Sequence, residues 1–198
     1  MRSPKRSVPT PPHQAVTVVG HDWGAYLAYL LEQKHPELVS RIVALDIGGH
    51  FEPRSVLHAC FFVGYQTWLA AAFLIGHTVR PLGDVLTRAF CHLMKTPRRD
   101  ARASMNYFYF YIWRGLLNKK YASSLLRRYR PTRPLLFVYG GAKKYPFHSA
   151  KWEKTVAATP ESRVVRIDSA NHWVNLTAPQ ELHRHMDQWL AETEKNTG

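Results

Sequence analysis

A chain of 198 residues with 45% hydrophobic content is long enough for one domain with a sizeable core, which excludes a disordered or fibrous class. Its formal charge of +13 comes from 27 Lys and Arg against 14 Asp and Glu. The basic residues gather around Lys95 to Arg102, Arg114 to Arg133 and Lys143-Lys144, interleaved with Tyr and Trp, and read as solvated faces without any RNA- or DNA-binding signature.

Met1 to Gln14 hold four prolines and three basic residues but no apolar core, which reads as a disordered N-terminus rather than a signal peptide or transit helix. Ala15 to Val19 is a short apolar strand of the fully buried type. It breaks at Gly20, and an apolar helix follows over Ala25 to His35, ended by Pro36. Arg41 to Ile47, reading R-I-V-A-L-D-I, is a second buried strand closed by Gly48-Gly49. Strand, helix and strand make a βαβ unit of parallel sense. Polar groups at the C-terminal ends of such strands face the crevice where ligands bind, and Asp22 and Asp46 both sit there.

Residues 50–133 change character, with helical periodicity, many aromatics and repeated Pro and Gly breaks, and read as a helical insertion. From Ser55 to Val79 there is no Asp, Glu, Lys or Arg, and Arg54 and Arg80 bracket the run, which is long enough for a membrane span. His58, Gln66 and His77 within it favour a buried helix or helix pair, with breaks at Gly64 and Gly76. Tyr107 to Tyr111 and Trp113 form an aromatic cluster suited to packing. The parallel pattern then resumes, with a strand over Pro134 to Tyr139 closed by Gly140-Gly141, a helix over Ser149 to Ala158 and a strand over Arg163 to Ile167. Asn171-His172-Trp173 follows, and Pro179 to Thr193 is an amphipathic helix. The expected organisation is a main domain of residues 15–49 and 134–198 around the insertion. Cys60 and Cys91, in apolar segments and with no secretion signal, read as reduced thiols of an intracellular, cytoplasmic protein.

Gly20-His21-Asp22-Trp23-Gly24 follows the pattern G-x-Nuc-x-G, in which a strand turns sharply into a helix and holds its central residue exposed and strained. The alternative for that spacing is an ordinary strand-to-helix turn with an aspartate on the helix dipole. With aspartate as nucleophile the chemistry shifts from acyl to alkyl transfer, since a carboxylate attacks carbon and leaves an ester.

The segment resembles the α/β-hydrolase fold enzymes of the epoxide hydrolase and haloalkane dehalogenase group, whose elbow commonly reads G-H-D-W-G, and the resemblance covers most of residues 15–195. It implies an α/β fold, a mostly parallel sheet with a helical cap over residues 50–133. The phrase Ala170-Asn171-His172-Trp173-Val174, followed by Pro179, resembles the loop that carries the family's base, which makes His172 the base. The family places its acid either after the strand that follows the elbow helix or after the next strand beyond the cap. The second location reads Gly140-Gly141-Ala142-Lys143-Lys144, without a carboxylate, so the resemblance points to Asp46, with Asp168 the next candidate. His21 would support the turn. By resemblance Asp22 forms an alkyl-enzyme ester and the His172–Asp46 pair activates water to hydrolyse it. An epoxide needs an acid at the nascent alkoxide, for which Tyr65, Tyr107, Tyr109 and Tyr111 are available, whereas a halide needs an N–H donor such as Trp23. The richness in Tyr favours the epoxide, with a small hydrophobic substrate and neither cofactor nor metal.

The family has four strands before the elbow strand and a His-Gly-x-Pro loop that helps complete the oxyanion hole, yet only 19 residues precede Gly20. The expectation is therefore a partial fold, N-terminally truncated, with the Trp23 N–H as one oxyanion donor and an impaired activity. Its first strand would be an edge that invites self-association. The alternatives are an inactive chain with a binding role, and a membrane-associated protein with residues 55–79 as its span.

Overall fold

Four apolar runs become parallel strands in a computed structural model, which describes residues 15–94, 96–118, 129–143 and 145–195. These are β1 (Val16–His21), β2 (Val39–Leu45), β3 (Leu135–Gly140) and β4 (Arg163–Ile167), paired in the order β1-β2-β3-β4. The register sets Val18 against Ile42, Val43 against Leu136 and Phe137 against Val164. Every pairing is parallel; β2 and β3 are largely buried, whereas β1, expected to be of the fully buried type, ends the strand order and leaves Val16 and Val19 exposed. The expectation for Met1 to Gln14 lies outside the described residues.

Period-two alternation sends the strand side chains to two different layers. Val43, Leu45, Leu136, Val138, Val165 and Ile167 pack with Leu182 and Trp189 of helix α7 (Pro179–Lys195) and with Val174 of the single turn α6 (Val174–Thr177). On the opposite face α1 (Trp23–Lys34) brings Tyr29 within 5.2 Å of Trp152, which α5 (Ala150–Ala157) holds 5.9 Å from Phe137. Each fully buried aliphatic or aromatic side chain contributes about 1.5–3 kcal/mol relative to exposure.

The chain divides into two compact units, one of residues 1–51 and 128–198 and the other of residues 52–127. Within the first, the side chains of His50 and Glu32 tie residues 129–133 to the strand-and-helix frame. His50 Nε2 donates to the Tyr129 carbonyl at 2.6 Å. Glu32, a charged residue 2% exposed on the otherwise apolar α1, accepts from the Thr132 N–H at 2.7 Å, the Thr132 hydroxyl at 2.9 Å, the Arg133 N–H at 2.9 Å and the Tyr129 hydroxyl. Burial, with the Glu32 carboxylate as its partner, holds the Tyr129 phenol far above its ordinary value, so it stays a donor. Removing the acceptor strands four donors. Glu32→Ala is expected to cost about 3 kcal/mol, a fall of roughly 6–12 °C in thermal midpoint; an unchanged midpoint by calorimetry would show that these donors rehydrate freely.

The second unit is helical where described: α2 (Val56–Thr78), α3 (Arg80–Leu93), a 3-10 turn over Ala103–Asn106 and α4 (Tyr107–Leu117). Ser55 caps α2 by accepting from the His58 N–H at 3.1 Å. α2 runs unbroken through Gly64, contrary to the break expected there, because one glycine costs a long helix only about 1 kcal/mol. Gly76 also lies inside the helix, and its bare Cα lets Gly83 of α3 approach so closely that a Cβ on Gly83 would stand 2.4 Å away. Phe73 stacks on Phe110 of α4 at 5.4 Å. α2 is long and apolar enough by length and composition to cross a membrane, with 22% of its most apolar window buried. Cys60 and Cys91 are free thiols.

Candidate active site

β1 passes into α1 through a single residue, Asp22, whose φ of 54° and ψ of −122° lie in a region that favours glycine. Such a conformation costs on the order of 1–3 kcal/mol. Among the described residues no glycine takes positive φ, so the strain of the turn rests on Asp22 itself. Gly20 serves a different need: a Cβ there would meet the Gly24 carbonyl carbon at 2.5 Å and the Ala25 nitrogen at 2.6 Å, so only a bare Cα lets the helix start this close to the strand. A Cβ at Gly24 would meet nothing within 4 Å. The Asp22 carbonyl accepts from the N–H groups of Ala25 and Tyr26 at 3.0 and 3.3 Å, which begins α1.

Asp46 follows β2 directly, at φ 70°, and is wholly buried. Its N–H donates to Val138 of β3 at 2.8 Å, turning the carboxylate toward the end of the sheet. There its Oδ2 accepts from His172 Nδ1 at 2.7 Å, and its Oδ1 accepts from the Gly140 N–H at 3.1 Å and from the Lys143 ammonium. His172 stands on the loop after β4 and turns its other nitrogen, Nε2, to within 4.0 Å of Asp22 Oδ1. His21 Nε2 donates to the His172 carbonyl at 2.9 Å, and the rings of His21, Phe147 and Trp173 lie 4.8, 5.1 and 5.3 Å from the His172 ring. The imidazole is thus held from its backbone, its flanks and its Nδ1.

The charges are arranged unevenly. Burial raises the Asp22 carboxyl above its ordinary value, although His172, His21 and the Trp23 N–H all favour its ionised form. Burial would raise Asp46 too, but the His172 hydrogen bond and the Lys143 charge outweigh it and hold that carboxyl below its ordinary value. The His21 ring is lowered, chiefly by burial. Lys143 is also lowered, because burial outweighs its pairing with Asp46.

Of the residues expected from sequence, Asp22, Asp46 and His172 converge in one cluster from the C-terminal ends of three strands. Trp23 opens α1 with its ring edge-on to Tyr26 at 5.7 Å. Tyr65, Tyr107, Tyr109 and Tyr111 belong to the unit of residues 52–127, where Tyr65 meets Tyr109 edge-on at 5.9 Å and Tyr107 and Tyr111 are exposed on α4. Asp168 pairs with Arg166 at 2.7 Å on the surface. The reading of Lys143 as part of a solvated basic face is corrected, since its side chain is only 8% exposed and sits on Asp46. Lys144 lies outside the described residues. Among the described residues no cluster of His, Cys, Asp and Glu could hold a metal ion.

Solved structures share this arrangement of strands and helices. An epoxide hydrolase from Bacillus megaterium, in complex with its product (R)-3-[1]naphthyloxy-propane-1,2-diol, is similar with a TM-score of 0.60 and 16% identity, over 89% of this chain and 69% of its own. A thermophilic esterase from Thermogutta terrifontis gives 0.58 at 13% identity, over 90% and 65%. An esterase from a marine microorganism gives 0.54 at 15% identity, over 88% and 70%. A family model described as the alpha/beta hydrolase family matches residues 5–185, which takes in the Asp22 turn, the Asp46 strand end and the His172 loop alike. On that match this chain belongs to the alpha/beta hydrolase family.

Proposed function

We propose that the chain is a hydrolase of the epoxide hydrolase type, with Asp22 as nucleophile, His172 as base and Asp46 as the acid that orients His172. The observation that carries this reading is the imidazole bridging two carboxylates, 2.7 Å from Asp46 through Nδ1 and 4.0 Å from Asp22 through Nε2. A base so held removes a proton from water beside Asp22, and the aspartate on the strained turn is the group that water would then attack. In the first step an Asp22 oxygen attacks an epoxide carbon, the ring C–O bond breaks, and the alkoxide takes a proton from solvent water, leaving hydroxide. In the second, His172 Nε2 takes a proton from water and the hydroxide adds to the Asp22 carbonyl carbon. The Trp23 N–H steadies the tetrahedral oxyanion; its collapse breaks the bond from the Asp22 carbonyl carbon to the alkyl oxygen, the departing alkoxide takes the proton held on His172, and the Asp22 acid gives its proton to the hydroxide left by the first step, so that epoxide and water become the diol and every group is restored.

The epoxide, rather than a halide or a carboxylic ester, is supported by the aspartate at the turn and by the richness of the sequence in Tyr. The solved epoxide hydrolase whose fold this chain shares carries a vicinal diol as its product. The chemistry is tested by trapping. His172→Gln, incubated with an aryl glycidyl ether, is expected to gain the mass of one ether molecule on a peptide containing Asp22, because formation of the ester needs no base while its hydrolysis does. An unlabelled variant that still turns the ether over would sink the assignment.

A further inference from the structure

The loop after β3 is folded back on the site by its own backbone. The Gly141 N–H donates to Ile167 at 2.8 Å and the Ala142 N–H to Ala170 at 2.9 Å, which aims the next side chain, Lys143, under the sheet end rather than into water. Its ammonium meets Asp46 Oδ1 and lies 5.1 Å from the centre of the Phe147 ring, whose edge in turn touches His172. One wholly buried carboxylate therefore serves two donors, His172 on Oδ2 and Lys143 on Oδ1. A carboxylate helps a histidine accept a proton by the negative charge it presents to the ring. Here a fixed positive charge offsets part of that field.

We propose that Lys143 is a positioning residue that shares the charge of Asp46 with His172 and so weakens His172 as a base for release of the ester. The kinetic part rests on the hydrolase reading above; the electrostatic part does not. Formation of the ester does not use His172 as a base, so the Asp46 charge shared with Lys143 acts on the second step. Release moves a proton from water to His172 Nε2, and the imidazolium that results is steadied by an Asp46 already paired with an ammonium.

The groups that face His172 are Asp22 and His21 from the end of β1, Asp46 from β2, and Lys143 from the loop after β3. His148, paired with Glu153 at 2.9 Å, adds its field to Asp46 and Lys143. All of these stay in place when Lys143 alone is changed. Lys143→Met removes charge and donor together, whereas Lys143→Gln keeps a donor and removes only the charge.

The test is a histidine-ring NMR titration of the full chain and both variants, with the His172 signal identified by its loss in His172→Gln. Both variants are expected to take up the His172 proton at a pH higher by on the order of one unit. Decay of the ester in single turnover should show its acid-side midpoint moving with the NMR midpoint, and its high-pH rate should rise roughly threefold. A His172 midpoint unmoved in both variants overturns the proposal, as does a shift in Lys143→Met alone, which would make the hydrogen bond rather than the charge the operative feature. Loss of folding in both variants overturns it too, because Lys143 would then be structural. The titration needs no chemistry at Asp22, so its failure and a failure to trap the ester are separate results.

Discussion

Replacing Asp22 with glycine is expected to remove turnover of a glycidyl ether by on the order of 10⁴-fold or more and, in the same variant, to raise the thermal midpoint. The two effects share one cause. Asp22 is held at φ 54° and ψ −122°, where a Cβ is crowded and glycine is at ease, and its carboxyl is desolvated as well. Glycine relieves both burdens at the expense of a more flexible unfolded chain, for a net gain of about 1 kcal/mol or roughly 2–4 °C. Activity loss with a falling midpoint would mean that Asp22 stabilises its turn, which would undercut its reading as a strained nucleophile. Paired calorimetry and initial-rate assays decide between these outcomes.

Gly140→Ala should damage fold and site together. Gly140 ends β3, where its N–H donates to Asp46 Oδ1 at 3.1 Å. A Cβ there would stand 2.1 Å from the Asn171 carbonyl oxygen and 2.5 Å from that of Ala170, both backbone atoms of the loop that carries His172. Backbone cannot swing aside as a long side chain can, so either the loop moves out or β3 bends. We expect a loss of about 2–4 kcal/mol and, in whatever fraction folds, a His172 displaced from Asp46, with ester release slowed more than ester formation. A variant with parental midpoint and release rate would show that the loop yields at no cost.

The site was legible where local pattern and chain order suffice. Two glycines around Asp22, a strand ending in Asp46 and a histidine after the last strand are visible without coordinates, and so were the four apolar runs that make the sheet. Residues whose role depends on distant partners were not. Glu32 lies on a helix read as apolar, and its donors are about a hundred positions away at 129–133. Lys143 was read as charge on a solvated face because nothing in G-G-A-K-K tells that the backbone turns the ammonium inward. The strain expected at the central residue is where the unusual dihedral falls, at Asp22, whereas the need for a bare Cα at Gly20 depends on the approach of Gly24 and Ala25 and shows only in three dimensions. The break expected at Gly64 failed because a helix with enough apolar neighbours absorbs a glycine that a short one could not.

The bond between His50 and Tyr129 has a consequence for how this chain could vary over time. It clips together the two points where the polypeptide leaves the sheet unit and re-enters it, and Glu32 secures the returning arm a few residues further on. The chain between the two sides of this stem includes the second unit, residues 52–127. Once a stem is shut, the entropy of the intervening chain depends only on the logarithm of its length, so halving it would change the closure term by about 0.6 kcal/mol. On that term alone a change of length between Phe51 and Tyr129 costs little, which makes this stem the natural junction for varying the helical unit with the same Asp22, Asp46 and His172.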